Sequence, residues 1–86
     1  MYEIILSKRA SKDRNLLKQS GLETQARELL AVIKENPYRN PPPYEALKGN
    51  LKGLYSRRIN YQHRLVYEVL EEKQIVHVLR MWTHYE

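Results

Sequence analysis

The chain has 86 residues, with fifteen Lys or Arg against ten Asp or Glu, a formal net charge of +5 and no cysteine. That length holds one domain, spanning 1–86, with a modest core. Without thiols there are no disulfides, no zinc ribbon and no thiol chemistry, and no apolar run approaches the ~20 residues of a membrane helix.

Tyr2 to Leu6, β-branched and aromatic, reads as an opening strand. Arg9 to Gln19 reads as a charged helix whose main apolar contacts are Leu16 and Leu17. Gly21 ends it in the left-handed conformation. Ser20 and Glu23 have capping-box spacing for a second helix. Leu22, Ala26, Leu29, Leu30 and Ile33 form one face of that helix, and Asn36-Pro37 stops it. Pro37 to Pro43 contains four prolines and predicts an extended, stiff connector. Beyond it the apolar period changes to two. Leu54 to Ile59, His63 to Leu70 and Gln74 to Trp82 read as strands, joined by three-residue turns at 60–62 and 71–73 and therefore antiparallel. The fold class is α+β, with an N-terminal strand and two helices packed on one face of a mainly antiparallel sheet.

Charge and parity then locate a candidate surface. Lys48, Lys52, Arg57, Arg58 and Arg64 lie in a stretch with no acid and carry the whole positive excess. Basic residues interleaved with Tyr55 and Tyr61 suit a phosphate backbone with exposed bases. An anionic partner is expected, either nucleic acid or an acidic protein segment, together with a cytoplasmic location. Turns of three residues pair Arg58 with Arg64 and Arg64 with Arg80. One face then holds Ile59, Leu65, Tyr67, Val69, Ile75, His77, Leu79 and Met81, for the helices to cover. The other holds Ser56, Arg58, Arg64, Arg80, Trp82 and His84, with Glu68 as its one acid. Facing arginines repel, so a polyanion or nearby carboxylates must compensate them.

The residue types narrow the chemistry. One Asp and three histidines without HxxxH spacing offer no metal site, so none is expected. Gly21, Gly49 and Gly53 fit no nucleotide-binding loop, and no cofactor is expected. Asp13, on an exposed-looking helix, makes a Ser-His-Asp hydrolase a poor reading. His63 is read as structural or as a phosphate contact, and His77 as a core histidine. A metal-free ribonuclease needs a base for the 2′-hydroxyl, cations around the phosphate and an acid for the leaving 5′-oxygen. Glu45, Arg58, Arg64 and His84 supply those types, and Lys48 joins the phosphate cradle.

The run Glu45-Ala46-Leu47-Lys48-Gly49-Asn50-Leu51-Lys52-Gly53-Leu54-Tyr55-Ser56-Arg57-Arg58-Ile59, followed by His63-Arg64-Leu65-Val66-Tyr67 and by His84-Tyr85, closely resembles the Txe/YoeB toxins. These belong to the RelE/ParE superfamily of type II toxin–antitoxin systems. The specific match covers roughly the C-terminal half; the N-terminal half agrees in layout only. The first helix carries Lys12, Asp13, Arg14 and Asn15 where relatives carry aromatic and acidic residues. The resemblance implies a RelE-like α+β endoribonuclease of the bacterial cytoplasm that cleaves mRNA in the ribosomal A site and inhibits translation. It implies Glu45 as general base, Arg64 as transition-state stabiliser and His84 as general acid. Lys48 and Arg58 follow as supporting cations, and Tyr85 as a stacking or positioning residue. It further implies an acidic cognate antitoxin (YefM/Axe-like), operator DNA bound only through that antitoxin, and room for a homodimer. Two other readings stand beside it: a toxin of this fold with a non-nucleolytic target such as gyrase, and a non-catalytic RNA-binding module.

Overall fold

The computed structural model describes residues 1–82. The chain runs β1 (Glu3–Leu6), α1 (Lys8–Gln19), α2 (Glu23–Glu35), β2 (Glu45–Ala46), β3 (Leu54–Arg58), β4 (Arg64–Leu70) and β5 (Ile75–Arg80). The five strands form one sheet in the order β1-β5-β4-β3-β2. β1 lies parallel to β5 and the other pairs are antiparallel. Among the described residues no helix is long and apolar enough to cross a membrane.

The helices begin and end for local reasons. Ser7 caps α1, its Oγ accepting from the Ala10 amide at 3.0 Å while donating to the Leu79 carbonyl at 2.9 Å. One hydroxyl thus satisfies a helix end and ties it to β5. Gly21 takes φ +75°, as expected of a residue just past a helix end. The expected Ser20–Glu23 capping box does not form. Ser20 closes α1, its amide bonded to the Leu16 and Leu17 carbonyls, and Leu22 precedes α2 with no side-chain cap. The connection is too short for one serine to leave one helix and cap the next. Asn36 adopts extended backbone and ends α2 before Pro37.

Both helices cover one sheet face. Ala10, Leu17, Ala26, Leu29 and Ile33 pack on Ile59, Leu65, Tyr67, Val76, Val78 and Met81 in one core cluster. The expected α2 stripe is therefore the buried one. In α1 the buried residues are Ala10, Asp13 and Leu17, whereas Leu16 is 40% exposed. Asp13 is thus buried, not exposed as its charged neighbours suggested. Its Oδ2 accepts from Arg80 Nε at 2.9 Å and from the Met81 amide at 3.1 Å, tying α1 to the end of β5.

The first turn keeps the expected register, with Arg58 opposite Arg64. The second does not. Residues Glu71–Lys73 form a 3-10 turn and Gln74 follows at φ +54°. That extra residue pairs Leu70 with Ile75 instead of Gln74. Since side chains alternate, a one-residue slip exchanges the faces of β5. Val76 and Val78 enter the core, while His77 turns outward and bonds Glu68 at 3.3 Å. His77 is therefore not a core histidine. Tyr67 faces Val78 but Val66 faces Arg80, so a bulge at Leu79 reverses parity again and returns Met81 to the core. Arg80 stands opposite Val66, not Arg64.

Candidate active site

β2 is the element that periodicity could not reveal, because two residues have no period. It pairs Glu45 with Ser56 and Ala46 with Tyr55. Ser56 in turn faces Val66, and Arg58 faces Arg64. Glu45, Ser56, Arg58 and Arg64 consequently share the sheet face opposite the helices. With Pro43 and Tyr44 they line an open cleft of about 170 Å³.

Inside the cleft Arg64 Nη1 lies 3.3 Å from Glu45 Oε1 and 3.4 Å from Ser56 Oγ. The Arg64 side chain is 24% exposed and Glu45 66%. An ion pair this wet contributes about 0–1 kcal/mol, so it breaks readily when a better anion arrives. Arg58 is exposed and, among the described residues, bonds the Tyr61 carbonyl at 3.4 Å. Arg58 and Arg64, at directly opposed positions, thus line one cleft with a single carboxylate, which Arg64 contacts. Lys48 is exposed at the head of the 3-10 turn Gly49–Leu51 and does not line the cleft. His84 and Tyr85 lie outside the described residues. Among the described residues no three of His, Cys, Asp and Glu gather into a cation-binding cluster.

Two expectations about the charge are corrected. Arg57, counted with the surface cations, is 1% exposed and lies on the helix-covered face opposite Leu65. Its Nε donates to Tyr67 Oη at 3.1 Å, Nη1 to the Pro42 carbonyl at 2.7 Å, and Nη2 to the carbonyls of Pro37 and Arg39 at 3.0 and 2.9 Å. Its guanidinium carbon lies 5.0 Å from the centre of the Tyr44 ring. Arg57 therefore holds the proline connector, and with it the approach to Glu45. The signal was present in the sequence, since its odd position shares parity with Tyr55 and Ile59. Arg80, expected as a third arginine on the polar face, is ion-paired with buried Asp13.

Around Arg57 the tyrosines interlock. Tyr38 and Tyr44 both meet Tyr55, edge-on, at 5.6 and 5.8 Å, and Tyr55 lies 5.7 Å from Tyr67. Burial, followed by the Glu71 charge, pushes the Tyr38 phenol up to about 12. Burial also raises Tyr67, against the opposing pull of Arg57. Of these rings Tyr44 lines the cleft, whereas Tyr55 packs against the core and is not an exposed stacking platform.

A family model described as the YoeB-like toxin of bacterial type II toxin-antitoxin systems matches residues 8–85. The chain is 36% identical over 74 residues to the toxin YoeB of Synechocystis sp., covering 86% of this chain and 77% of that one. Alignments to YoeB toxins of Streptomyces coelicolor and Escherichia coli K12 span 57% and 63% of those proteins. Among solved structures, the heterotetrameric YoeB-YefM toxin-antitoxin complex of Staphylococcus aureus contains a chain that superposes with TM-score 0.81 at 34% identity, over 99% of both chains. The YoeB dimer of the same organism gives 0.80 at 34% identity, over 98% of both. On the family match over residues 8–85 and the identity to these relatives, this chain belongs to the YoeB-like toxin family of bacterial type II toxin–antitoxin systems.

Proposed function

We propose that the cleft between β2, β3 and β4 is a ribonuclease site and that the toxin acts by cutting mRNA on the ribosome. The observation that carries this reading is the Glu45 carboxylate beside Arg64, in a cleft that Arg58 also lines from the position opposite Arg64 on the β3–β4 ladder. A phosphodiester entering the cleft competes for Arg64 and breaks its wet pair with Glu45. The freed carboxylate then takes the proton of the 2′-hydroxyl. The 2′-oxygen attacks phosphorus, and the charge that develops on the non-bridging oxygens meets Arg64 and Arg58. The bond to the 5′-oxygen breaks, and His84 gives that oxygen its proton. The products are a 2′,3′-cyclic phosphate, which water opens to a 3′-phosphate and a free 2′-hydroxyl, and a 5′-hydroxyl. Lys48 and Tyr85 serve as an outlying cation and a base contact. The chain's own groups fill the roles of base, charge stabiliser and acid, so the scheme runs without a metal or cofactor.

The cleft also explains how the toxin is silenced. An acidic antitoxin segment can satisfy the same arginines that would hold RNA. The partner proposed here is a YefM-like antitoxin, which also supplies any contact with operator DNA. A homodimer like that of the Staphylococcus aureus relative is proposed as well, in the bacterial cytoplasm. Primer extension on mRNA in a translating extract should show cuts within codons that disappear with Glu45→Gln. Intact transcripts at saturating toxin would sink the proposal.

A further inference from the structure

Helix α1 carries five basic residues and one acid. The acid, Asp13, is buried and holds Arg80 and the Met81 amide, so it neutralises nothing outside. Every basic residue of the helix is exposed. Among the described residues Lys8, Arg9, Lys12 and Lys18 have no ion pair. Arg14 differs, since it shares a groove with Glu23 and Arg27. Several of these cations are also badly placed for the helix. The first turn holds Lys8 and Arg9 and no acid, against the positive end of the helix dipole. Lys8 and Lys12 stand four residues apart, where like charges repel. These placements weaken α1, and among the described residues no carboxylate offsets them.

The surface they make is continuous. With Ala10, Asp13 and Leu17 turned inward, Lys8, Ser11, Lys12, Asn15, Lys18 and Gln19 share the outer face, about 16 Å from end to end. It lies on the helix-covered side of the sheet, away from the cleft. Cations, amides and a hydroxyl are the side chains that bond phosphate and sugar oxygens. The face has no aromatic ring on which an unpaired base could stack, so a single strand gains little there. Leu16 alone flanks it, which is too little apolar surface to anchor an acidic segment that folds on binding. Two copies meeting here would set like charge against like charge. We infer that the outer face of α1 is a second nucleic-acid surface, which holds the phosphate backbone of a double-helical RNA. The choice of RNA over DNA rests on the reading of the cleft as a ribonuclease site. The surface itself does not.

Fluorescence anisotropy of a labelled, blunt RNA duplex, titrated with the full-length toxin over a range of salt, tests this. Lys8→Gln/Lys12→Gln should bind roughly tenfold more weakly near physiological salt, and the salt slope should fall by about 2. Lys34→Gln/Lys73→Gln removes the same charge from exposed positions elsewhere and should leave the slope unchanged. Urea unfolding should find Lys8→Gln/Lys12→Gln at least as stable as the wild type, because two opposed cations are gone. A slope that Lys8→Gln/Lys12→Gln does not change, or that the control pair lowers as much, overturns the surface. Tighter binding of polyglutamate than of the duplex overturns it too, and would give the face to an acidic protein. A DNA duplex of the same sequence held as tightly as the RNA, or more tightly, overturns the assignment to RNA. A toxin that cuts no mRNA in a translating extract removes the ribonuclease reading, while the salt slopes still decide whether the surface exists.

Discussion

Replacing Arg57 by methionine keeps the length of the side chain and removes its guanidinium. Four hydrogen bonds go, to Tyr67 Oη and to the carbonyls of Pro37, Arg39 and Pro42. Hydrogen bonds to a charged group contribute about 1.5–3 kcal/mol each. The sum overstates the loss, because the groups left behind are not equally stranded. Pro37 O still accepts from Tyr67 Oη at 2.7 Å. The carbonyls of Arg39 and Pro42 are part-buried and within reach of water. What is lost outright is the acceptor pairing of buried Tyr67, the contact with the Tyr44 ring and the tether of the connector. We expect about 4 kcal/mol, out of roughly 5–10 for a domain of this size. At about 4–8 °C per kcal/mol, the melting temperature should fall by about 15–30 °C. Thermal and urea unfolding followed by circular dichroism read this directly, with Arg58→Met as the exposed control. A loss below about 1 kcal/mol for Arg57→Met, comparable to the control, would show that the clamp on the connector is not holding the fold.

Other outcomes follow from the same contacts. Asp13→Ala removes a buried carboxylate and its two bonds to β5, and should cost about 3 kcal/mol in urea unfolding; a surface-like value of a few tenths would contradict the burial. Ser7→Ala should cost about 1 kcal/mol through the lost helix cap, measured in the same way. Tyr38 is raised from 10.0 to about 12, so the folded state holds its proton more tightly than the unfolded chain does. The stability it contributes is complete below pH 10 and is lost as pH rises through about 12. Ultraviolet titration near 295 nm should show the Tyr38 and Tyr67 phenols ionising late, together with unfolding. Arg58→Gln should weaken RNA binding evenly across sequences and lower the salt slope by about 1.

The parts of the fold legible in the sequence are those set by local rules. Asn36-Pro37 ends α2 because proline restricts the residue before it, and the Ala26, Leu29 and Ile33 stripe is buried because it is one face of a helix. The 60–62 turn fixed the Arg58–Arg64 pairing, which is half of the cleft. The errors came from features with no local signal. Gln74 adopts the left-handed conformation without being glycine, and that single residue moved His77 out and Val76 and Val78 in. β2 is too short to have a pattern, so Glu45 could be proposed from its chemical type and its neighbours but not placed. Asp13 and Arg57 are charged residues in buried positions, and composition read both as surface. Parity alone would have flagged Arg57. For Asp13 the spacing from Ala10 and Leu17, three and four residues, marks the buried side of α1.

The chemistry of the cut ends tests the central claim most directly. In a translating extract, the upstream fragment should carry a 2′,3′-cyclic phosphate or 3′-phosphate and the downstream fragment a 5′-hydroxyl. Mass spectrometry and kinase labelling of the two ends read this. Glu45→Gln should reduce cleavage at least about a hundredfold while leaving ribosome binding in place. Fragments ending in a 3′-hydroxyl and a 5′-phosphate would contradict attack by the 2′-oxygen. So would full cleavage by Glu45→Gln, since the carboxylate beside Arg64 would then not be the base.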